Sequence, residues 1–364
     1  MKEALVAAGI AAAITKPSTT PITRPATMPT ITIADTGYSY ECPHDDTLTR
    51  AGLRAGLGMP YECNVGCCGT CKVELMEGQV ESAWPEAPAL NDRDRKRQRV
   101  LGCQSRPVSD CTIKVRLTDN AATAPRPRRF KGRLAAIGDL THDIREFRFR
   151  GDAPAQFLPG QYLLFRLPGV PGQRAYSMSN VPDDSGEWHF QVKRVPGGRC
   201  TGTLFDVLRI GGEVDLDGPY GHAYLRTESP RDIVCIAGGS GLSPVMSIAR
   251  AVMRDPALAN RKLHFFYGGR GPADICGEDM LQALPGYGQR LFFYPAVSMP
   301  ELDTAGAWQG RVGYVHEHAR DVLGTDLPRY EFYFAGPPPM AMAVQRMLIQ
   351  ARVPMSQIHF DQFF

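Results

Sequence analysis

The sequence has little net charge and no apolar run long enough to cross a membrane. Its 41 Lys and Arg residues nearly balance 38 Asp and Glu residues, and a net charge of +3 does not favour nucleic-acid binding. The amino-terminal apolar run, residues 4–14, is about half the length of a membrane-spanning helix. A length of 364 residues with 43% hydrophobic composition indicates a globular protein of two or three domains.

The amino-terminal region also lacks the features of a cleaved signal peptide. Glu3 weakens the positive region that such a peptide needs, and no clean small-x-small cleavage site precedes Lys16. A Ser-, Thr- and Pro-rich stretch follows. Residues 1–29 are therefore predicted to be a flexible tail without membrane contact, and a membrane-contacting helix is the alternative.

The ten cysteines do not indicate a disulfide framework, because such frameworks belong to small secreted domains. Cys67 and Cys68 are adjacent, which is a poor arrangement for two independent bridges. We therefore expect free thiols in a reducing compartment, the cytoplasm, where thiolates can serve as metal ligands.

Three of these cysteines follow the spacing C-x4-C-x2-C, and a fourth lies further along the chain in the sequence LGCQSRP. This is the plant-type spacing for a 2Fe–2S cluster, and Gly66 and Gly69 allow the backbone to wrap closely around it. A zinc site is the alternative, but zinc sites usually pair two C-x2-C motifs and only one is present. The predicted cluster ligands are Cys63, Cys68, Cys71 and Cys103.

Changes of pattern divide the rest of the chain into three predicted domains. Residues 30–117 contain short strands, a helical stretch and the cysteine motif, and residues 118–129 form a Pro- and Arg-rich linker. Residues 130–229 contain strands between Gly/Pro turns, which predicts a small antiparallel β-barrel. Residues 230–364 alternate strands with helices, which predicts a doubly wound parallel sheet.

The barrel segment contains two candidate flavin-binding motifs. In the motif R-x-Y-S, Arg174 can pair with a phosphate, Tyr176 can pack on the isoalloxazine ring and Ser177 can hydrogen-bond flavin N5. The later sequence VKRVPGGRCT offers backbone N–H groups and a hydroxyl to a phosphate. The candidate cofactor-binding residues of this second motif are Lys193, Gly197, Gly198 and Thr201.

The last segment contains candidate nicotinamide-binding loops. The sequence IAGGSGLSPV follows a strand and opens a helix, so a pyrophosphate can approach the helix N-terminus, although the spacing is not G-x-G-x-x-G. The sequence YFAGPPPM ends a later strand in a rigid loop that could cover a nicotinamide. The candidate residues are Gly238, Gly239, Gly241, Arg270, Gly336, Pro337 and Pro338.

Taken in order, these motifs resemble the reductase components of multicomponent aromatic-ring oxygenases, such as those of naphthalene dioxygenase and xylene monooxygenase. That family fuses a plant-type ferredoxin domain, of β-grasp fold, to a ferredoxin–NADP reductase-like module. The resemblance implies an oxidoreductase in which NADH gives hydride to FAD and single electrons then pass to the cluster; NADPH is not excluded. It implies as partner a terminal oxygenase (a Rieske dioxygenase or a diiron monooxygenase) or its small ferredoxin.

The resemblance also gives a meaning to the chain end, Asp361-Gln362-Phe363. In the family an aromatic residue here shields the flavin and moves aside for nicotinamide, so Phe363 joins Ser177 as a candidate catalytic residue. Core packing is the alternative for Phe363. Ala335 departs from the family pattern, which commonly has Cys before Gly-Pro-Pro, and this change predicts slower hydride transfer.

Two other functions are compatible with the same motifs. A reductase of the same layout can serve deoxysugar biosynthesis. A redox sensor could also carry these cofactors without sustained turnover.

Overall fold

The computed structural model describes residues 27–118, 125–304 and 306–362. Most of the predicted tail, the middle of the predicted linker and Phe363 lie outside these ranges. Within them, no helix is both long and apolar enough to span a bilayer. The described chain forms three large sheets, each with its own hydrophobic core, which we call in chain order the cluster, barrel and dinucleotide domains.

The cluster domain is built on a five-stranded mixed sheet. Its elements are β1 (Thr30–Ile33), β2 (Ser39–Glu41), α1 (Leu48–Arg54), β3 (Lys72–Glu77), β4 (Val80–Ser82), α2 (Asp92–Lys96), β5 (Arg99–Leu101), β6 (Ser105–Pro107) and β7 (Cys111–Lys114). The strand order is β2-β1-β7-β3-β5, with β1 parallel to β7 and the other neighbours antiparallel. Alternation in β1 buries Ile31 and Ile33, and α1 contributes Leu48 and Ala51 to the same core. A mixed sheet packed on a helix is the arrangement expected of a β-grasp ferredoxin domain.

The barrel domain is a six-stranded antiparallel sheet. Its elements are β8 (Arg128–Asp139), β9 (Ile144–Arg150), β10 (Tyr162–Arg166), β11 (Arg174–Ser177), β12 (Glu187–Lys193), α3 (Arg199–Gly202) and β13 (Glu213–Tyr220). The strand order is β11-β10-β13-β8-β9-β12, and a bridge between Met178 and Phe190 brings the two edges together. Phe147, Phe149 and Trp188 fill the interior, so the predicted barrel is confirmed.

The dinucleotide domain is a six-stranded parallel sheet with helices on both faces. Its elements are β14 (Asp232–Gly238), α4 (Leu242–Arg254), β15 (Leu263–Gly269), α5 (Glu278–Gln282), β16 (Leu291–Val297), β17 (Arg311–Val312), α6 (Val315–Leu323), β18 (Tyr330–Gly336), α7 (Pro338–Gln350) and β19 (Ile358–Gln362). Val245 of α4 packs on one face, and Val315 of α6 and Val344 of α7 pack on the other. The strand order β17-β16-β15-β14-β18-β19 reverses between β14 and β18, where doubly wound sheets bind ligands.

A buried ion network joins the cluster domain to the barrel domain. Arg54, at the end of α1, lies 2.9 Å from Asp46 and 2.7 Å from Asp217 of β13. The two carboxylates are only 2% and 4% exposed. Arg129 lies 2.8 Å from Asp46, and Tyr220 donates a 2.8 Å hydrogen bond to Asp217. Because each buried charge has opposite charges or hydrogen bonds around it, the network fixes how the two domains dock.

Serine hydroxyls join the dinucleotide domain to the barrel domain. Ser243 of α4 donates a 2.7 Å hydrogen bond to the carbonyl of Ser177. One turn later, Ser247 donates a 2.6 Å hydrogen bond to the carbonyl of Asn180. Both hydroxyl-bearing residues are buried. These bonds hold the end of β11 against the start of α4, beside the crevice of the parallel sheet.

Candidate functional site

The four predicted ligand cysteines converge at one end of the cluster domain. Three lie on the loop between α1 and β3, and Cys103 follows β5. The Sγ atoms of Cys71 and Cys103 are 3.2 Å apart, and both side chains are buried. The backbone N–H groups of Cys67 and Cys68 point at Sγ of Cys63, each at 3.4 Å. The loop therefore offers thiols and N–H donors to one small region, as a 2Fe–2S cluster requires.

Two glycines shape this loop. Gly66 and Gly69 have φ values of +91° and +81°, in the left-handed region that favours glycine. A Cβ atom at Gly66 would lie 3.1 Å from side-chain atoms of Gln104 and Trp84, so little space remains there. The Gln104 amide donates a hydrogen bond to Sγ of Cys103 at 3.6 Å. An all-sulfur donor set, a closely wrapped backbone and N–H groups aimed at sulfur fit a 2Fe–2S cluster.

The thiol pKa values show which sulfurs ionise most readily. A hydrogen bond from Cys63, with others from Thr70, lowers the pKa of Cys68 to about 5. A hydrogen bond from Cys71 holds the pKa of Cys103 below its ordinary value despite burial. The donor thiols, Cys63 and Cys71, have raised pKa values because they keep the shared protons. Metal binding needs thiolates, so this hydrogen bonding favours the ligand form at two of the four positions.

The other cysteines of the cluster domain lie in different surroundings. Cys42 and Cys111 belong to the hydrophobic core, and burial raises the pKa of both thiols. Cys67 is half-buried, and it contacts the ligand loop through its backbone N–H. These positions suit packed or bystander thiols.

A cavity of about 350 Å³ connects the cluster loop with the barrel. Cys63 and Cys68 line it together with Arg174 and Ser177 of β11, and Asp361 of β19 completes the lining. Ser177 is 7% exposed. All three domains thus contribute to one cavity, whose volume lies in the range of ligand-binding sites.

Tyr162 lines this cavity although the sequence analysis did not select it. It pairs directly with Ser177 across β10 and β11, and its hydroxyl donates a hydrogen bond to the carbonyl of Glu62. Its ring is 3% exposed. The sequence GQYLLF, which leads into β10, contained a signal for this role. A tyrosine that opens a buried strand has its ring in the core, and its hydroxyl then needs a hydrogen-bond partner.

Tyr176 lies apart from the residues that line the cavity. Its hydroxyl contacts Sγ of Cys200 at 3.2 Å, and its ring packs edge-on against Phe165. Side chains alternate along a strand, so Tyr176 and Ser177 leave β11 on opposite sides. The predicted contact of Tyr176 with the isoalloxazine therefore stays a prediction.

The predicted phosphate turn lies before and within α3. Gly197 has φ of +70°, and Gly198 is the residue before the helix. Thr201 is 6% exposed, and its hydroxyl accepts a 3.2 Å hydrogen bond from the backbone N–H of Val195. The N–H of Gly198 donates a 2.9 Å hydrogen bond to the carbonyl of Val195. The hydroxyl and this N–H therefore both help to close the turn itself, and the phosphate role of Gly197, Gly198 and Thr201 stays a prediction.

A second cavity, of about 600 Å³, lies at the carboxyl ends of β14 and β18, where the strand order reverses. Two basic side chains that line this cavity form ion pairs, one with a carboxylate of the barrel domain and one with a carboxylate of the dinucleotide domain. Lys193 lies 2.5 Å from Asp143, and the exposed Arg270 lies 3.5 Å from Asp274. The predicted residues that line the cavity are Lys193, Gly238, Gly239, Arg270 and Pro337.

Three of the residues predicted for the nicotinamide loops do not line this cavity: Gly241, Gly336 and Pro338. A Cβ atom at Gly241 would lie 1.9 Å from the carbonyl oxygen of Ala335, so glycine allows α4 to begin against the end of β18. A Cβ atom at Gly336 would lie 2.7 Å from Met340. Pro338 is already the first residue of α7, so the expected rigid loop is shorter than predicted. Proline is favoured at this position because its missing N–H has no partner in the first turn.

Asp361 is an acid of the terminal motif that was not predicted as a site residue. Burial, followed by the charge of Glu62, raises the pKa of Asp361 to about 7. Among the described residues its Oδ2 atom has no hydrogen-bond partner and is buried. The motif Asp361-Gln362-Phe363 contained this signal, while Phe363 itself lies outside the described residues.

Comparison with known families finds the same three parts in the same order. Residues 31–108 match a 2Fe-2S iron-sulfur cluster binding domain, residues 131–224 an oxidoreductase FAD-binding domain, and residues 235–346 an oxidoreductase NAD-binding domain. Fold and site together define an NAD(P)H-dependent oxidoreductase with FAD and a 2Fe–2S cluster.

Relatives narrow this class. The chain is 41% identical over 332 residues to the ferredoxin–NAD(P)(+) reductase CarAd of Metapseudomonas resinovorans, covering 89% of this chain and 96% of that protein. It is 37% identical to the ferredoxin–NAD(+) reductase component of the alkene monooxygenase system of Xanthobacter autotrophicus, covering 90% and 98%. The solved ferredoxin reductase in carbazole 1,9a-dioxygenase matches with a TM-score of 0.85 and 39% identity, covering 93% and 99%. The chain belongs to the family of ferredoxin–NAD(P)(+) reductase components of multicomponent oxygenases.

Proposed function

We propose that this chain passes electrons from NADH through FAD to its 2Fe–2S cluster, and from there to the small ferredoxin of an oxygenase system. The observation that carries the proposal is the cavity of about 350 Å³ that Cys63 and Cys68 share with Arg174 and Ser177. Candidate cluster ligands and candidate flavin-binding residues line the same space, so no carrier is needed between them.

The proposed roles of the residues follow from their positions. When bound, FAD supplies the change from two-electron to one-electron chemistry, and the cluster accepts one electron at a time. Arg174 binds a phosphate of FAD, and Ser177 presents its hydroxyl to flavin N5. Asp361 can hold or release a proton in the same cavity, because burial and Glu62 raise its pKa to about 7. The proposed cluster ligands are Cys63, Cys68, Cys71 and Cys103.

The cavity at the end of the parallel sheet is the proposed nicotinamide dinucleotide site. The glycines at 238 and 239 leave room for a pyrophosphate, and Pro337 forms part of the wall. We propose NADH as the preferred donor, because Arg270 is already paired with Asp274 and a 2′-phosphate would meet that carboxylate. Phe363 keeps the flavin-shielding role that the family resemblance implies.

The acceptor is proposed from the relatives. Two of them are named as ferredoxin reductases, one in an alkene monooxygenase system, which favours a small ferredoxin over direct contact with a Rieske or diiron oxygenase. We also propose a cytoplasmic location, where NADH is supplied and free thiols persist. The proposed division of the chain stays at 30–117, 118–129, 130–229 and 230–364.

The test is turnover with defined partners. The purified chain should reduce cytochrome c or ferricyanide continuously with NADH, and kcat/KM should be higher for NADH than for NADPH. Adding an oxygenase with its ferredoxin should give substrate hydroxylation, and leaving out the ferredoxin should stop it. A single reduction without turnover would instead support the redox sensor.

A further inference from the structure

A third cavity, of about 390 Å³, lies between the cluster domain and the barrel domain, and arginines from both domains line it. Arg50 of α1 and Arg106 of β6 come from the cluster domain. Arg166, Arg174 and Arg199 come from the barrel domain. Of these five, only Arg174 was selected from the sequence.

Most of these arginines have no acidic partner. Among the described residues, no ion pair joins Arg166, Arg174 or Arg199 to a carboxylate, whereas Arg54 nearby has two. Arg106 lies opposite Glu81 across β4 and β6, and the charge of Glu81 offsets only part of the effect of its arginine neighbours. Burial, and then the charges of Arg166 and Arg50, lower the pKa of Arg106. Positive charges placed this close together repel one another. A bound anion would remove that repulsion and stabilise the charged arginines.

The cavity also contains buried polar atoms that lack partners. Asn64, in the cluster loop, is only 1% exposed, and neither atom of its side-chain amide makes a hydrogen bond with the described residues. The Nε atom of Arg106 is buried and unpartnered as well. Since buried polar atoms in folded proteins nearly always have a hydrogen-bond partner, such atoms beside unpaired arginines point to a bound anion.

Two residues connect this cavity with the one that holds Ser177. Arg174 and Val65 line both, so the two cavities adjoin at the start of β11. A ligand whose ring system lies near Ser177 in the first cavity can therefore extend past Arg174 and place its other end among the arginines of this cavity. The buried positions of Asn64 and Arg50, at 1% and 6% exposed, suit a slender ligand better than the surface of an acidic protein.

We propose that this arginine cavity binds the diphosphate and adenosine half of FAD, so that the cluster domain supplies part of the FAD site. The proposal rests on the proposed function, which places the flavin ring beside Ser177. Arginine suits this ligand because its planar fork donates two hydrogen bonds to a phosphate. FAD would then hold the cluster domain on the barrel, which FMN, lacking the adenosine half, would do less well.

The test compares the affinities of FAD and FMN for the full-length chain. The variants Arg106→Gln and Arg166→Gln each remove one charge from the cavity, and Arg150→Gln is the control, since Arg150 is exposed and pairs with Glu187 on β9 and β12. Flavin would be released from the purified protein and rebound, with dissociation constants measured by flavin fluorescence. We expect each cavity variant to weaken FAD binding about tenfold, the double variant more, and FMN binding and the control to stay unchanged.

Other outcomes separate the two proposals. A wild-type chain that binds neither flavin would contradict the proposed function. FAD binding that is normal in both cavity variants would overturn the present inference alone, and weaker reduction of an acidic ferredoxin in those variants would then assign the cavity to a protein partner. The visible absorption of the cluster, unchanged in each variant, shows that the variants fold. Displacement of FAD by ADP from the wild type, with weaker ADP competition in the double variant, gives a second reading that does not depend on activity.

Discussion

The cluster domain is attached to the barrel by a closely paired, buried ion network, whereas the dinucleotide domain is attached mainly by hydrogen bonds to backbone carbonyls. On the cluster side, Arg54 links two nearly buried carboxylates, Asp46 and Asp217. On the dinucleotide side, Ser243, Ser247 and Arg250 donate hydrogen bonds to backbone carbonyls. An ion pair between Lys193 and Asp274 also crosses this interface, but it is longer, at 3.8 Å. Losing one partner from a buried ion network leaves an unpaired charge, while losing a hydroxyl leaves only neutral groups unpaired, which costs less. The firm interface therefore lies where electrons cross between fixed cofactors, and the weaker one where a nicotinamide substrate must enter and leave.

The largest effect is expected at the cluster itself. Cys103→Ser should abolish the visible absorption of the 2Fe–2S cluster, because one of the four proposed ligands is lost and Cys103 is fully buried. NADH-dependent reduction of ferricyanide should persist, since the barrel and dinucleotide cavities are intact. Bound FAD and iron content measured on the same sample check this. Loss of FAD together with the cluster would show that the cluster domain also holds the flavin, which the arginine cavity between the two domains would explain.

The next effect tests the ion network. Arg54→Ala should lower the free energy of unfolding by about 3–5 kcal/mol, because it leaves Asp46 and Asp217 buried with fewer partners. Denaturant titration measures the loss. Arg133→Ala, which breaks an exposed pair with Glu213, is the matched control and should change stability little.

The same network predicts a pH dependence. Burial opposes ionisation of Asp46, but the hydrogen bonds and charge of Arg54, with Arg129 and Arg50, hold its pKa below the ordinary value. A lowered pKa means that its stabilisation is present above about pH 4 and is lost as pH falls through the folded-state pKa. Wild-type stability should therefore fall on acidification more steeply than that of Arg54→Ala. If the stability of the two proteins fell equally steeply with pH, Asp46 would not be the group responsible for the pH dependence.

A smaller effect is expected at the flavin phosphate. Arg174→Ala should weaken FAD binding about ten- to hundredfold, because charge-assisted hydrogen bonds contribute about 1.5–3 kcal/mol each. The cluster spectrum should stay intact. Fluorescence of released flavin measures the change, and tightly retained FAD would show that β11 does not carry the phosphate site.

The smallest effect tests the other interface. Ser243→Ala should cost about 1–2 kcal/mol, since it removes two neutral buried hydrogen bonds, one to the carbonyl of Ser177 and one from the N–H of Gln191. The loss should appear as a lower kcat with NADH or a slightly lower Tm, with the cluster spectrum unchanged. A cost as large as that of Arg54→Ala would mean that the two interfaces are equally firm.

The parts of the fold that sequence predicts best are those with local patterns. Alternation identified the barrel strands, and the alternation of strands with helices identified the parallel sheet. The cysteine spacing is a local pattern of the same kind, because Cys63, Cys68 and Cys71 lie on one short loop. Cys103 is separate in sequence but follows a strand that pairs with β3, so it meets them.

The parts that sequence missed depend on contacts between distant segments. Nothing in the sequence around Arg50 and Arg106 distinguishes them from arginines on a solvent-exposed surface. They line one cavity with Arg174 only because the cluster domain docks on the barrel. Tyr162 was missed because its importance lies in its pairing with Ser177. Asp361 was passed over because its raised pKa comes from burial and from Glu62, both of which are properties of the folded chain.

The central claim is that flavin and cluster exchange electrons inside this chain. Anaerobic mixing of the oxidised protein with one equivalent of NADH tests it, with the flavin followed by absorbance and the reduced cluster by electron paramagnetic resonance. The account predicts that the cluster signal of the wild type follows flavin reduction within one turnover and that Cys103→Ser shows flavin reduction alone. A wild-type flavin that is fully reduced while its cluster stays oxidised would contradict the account.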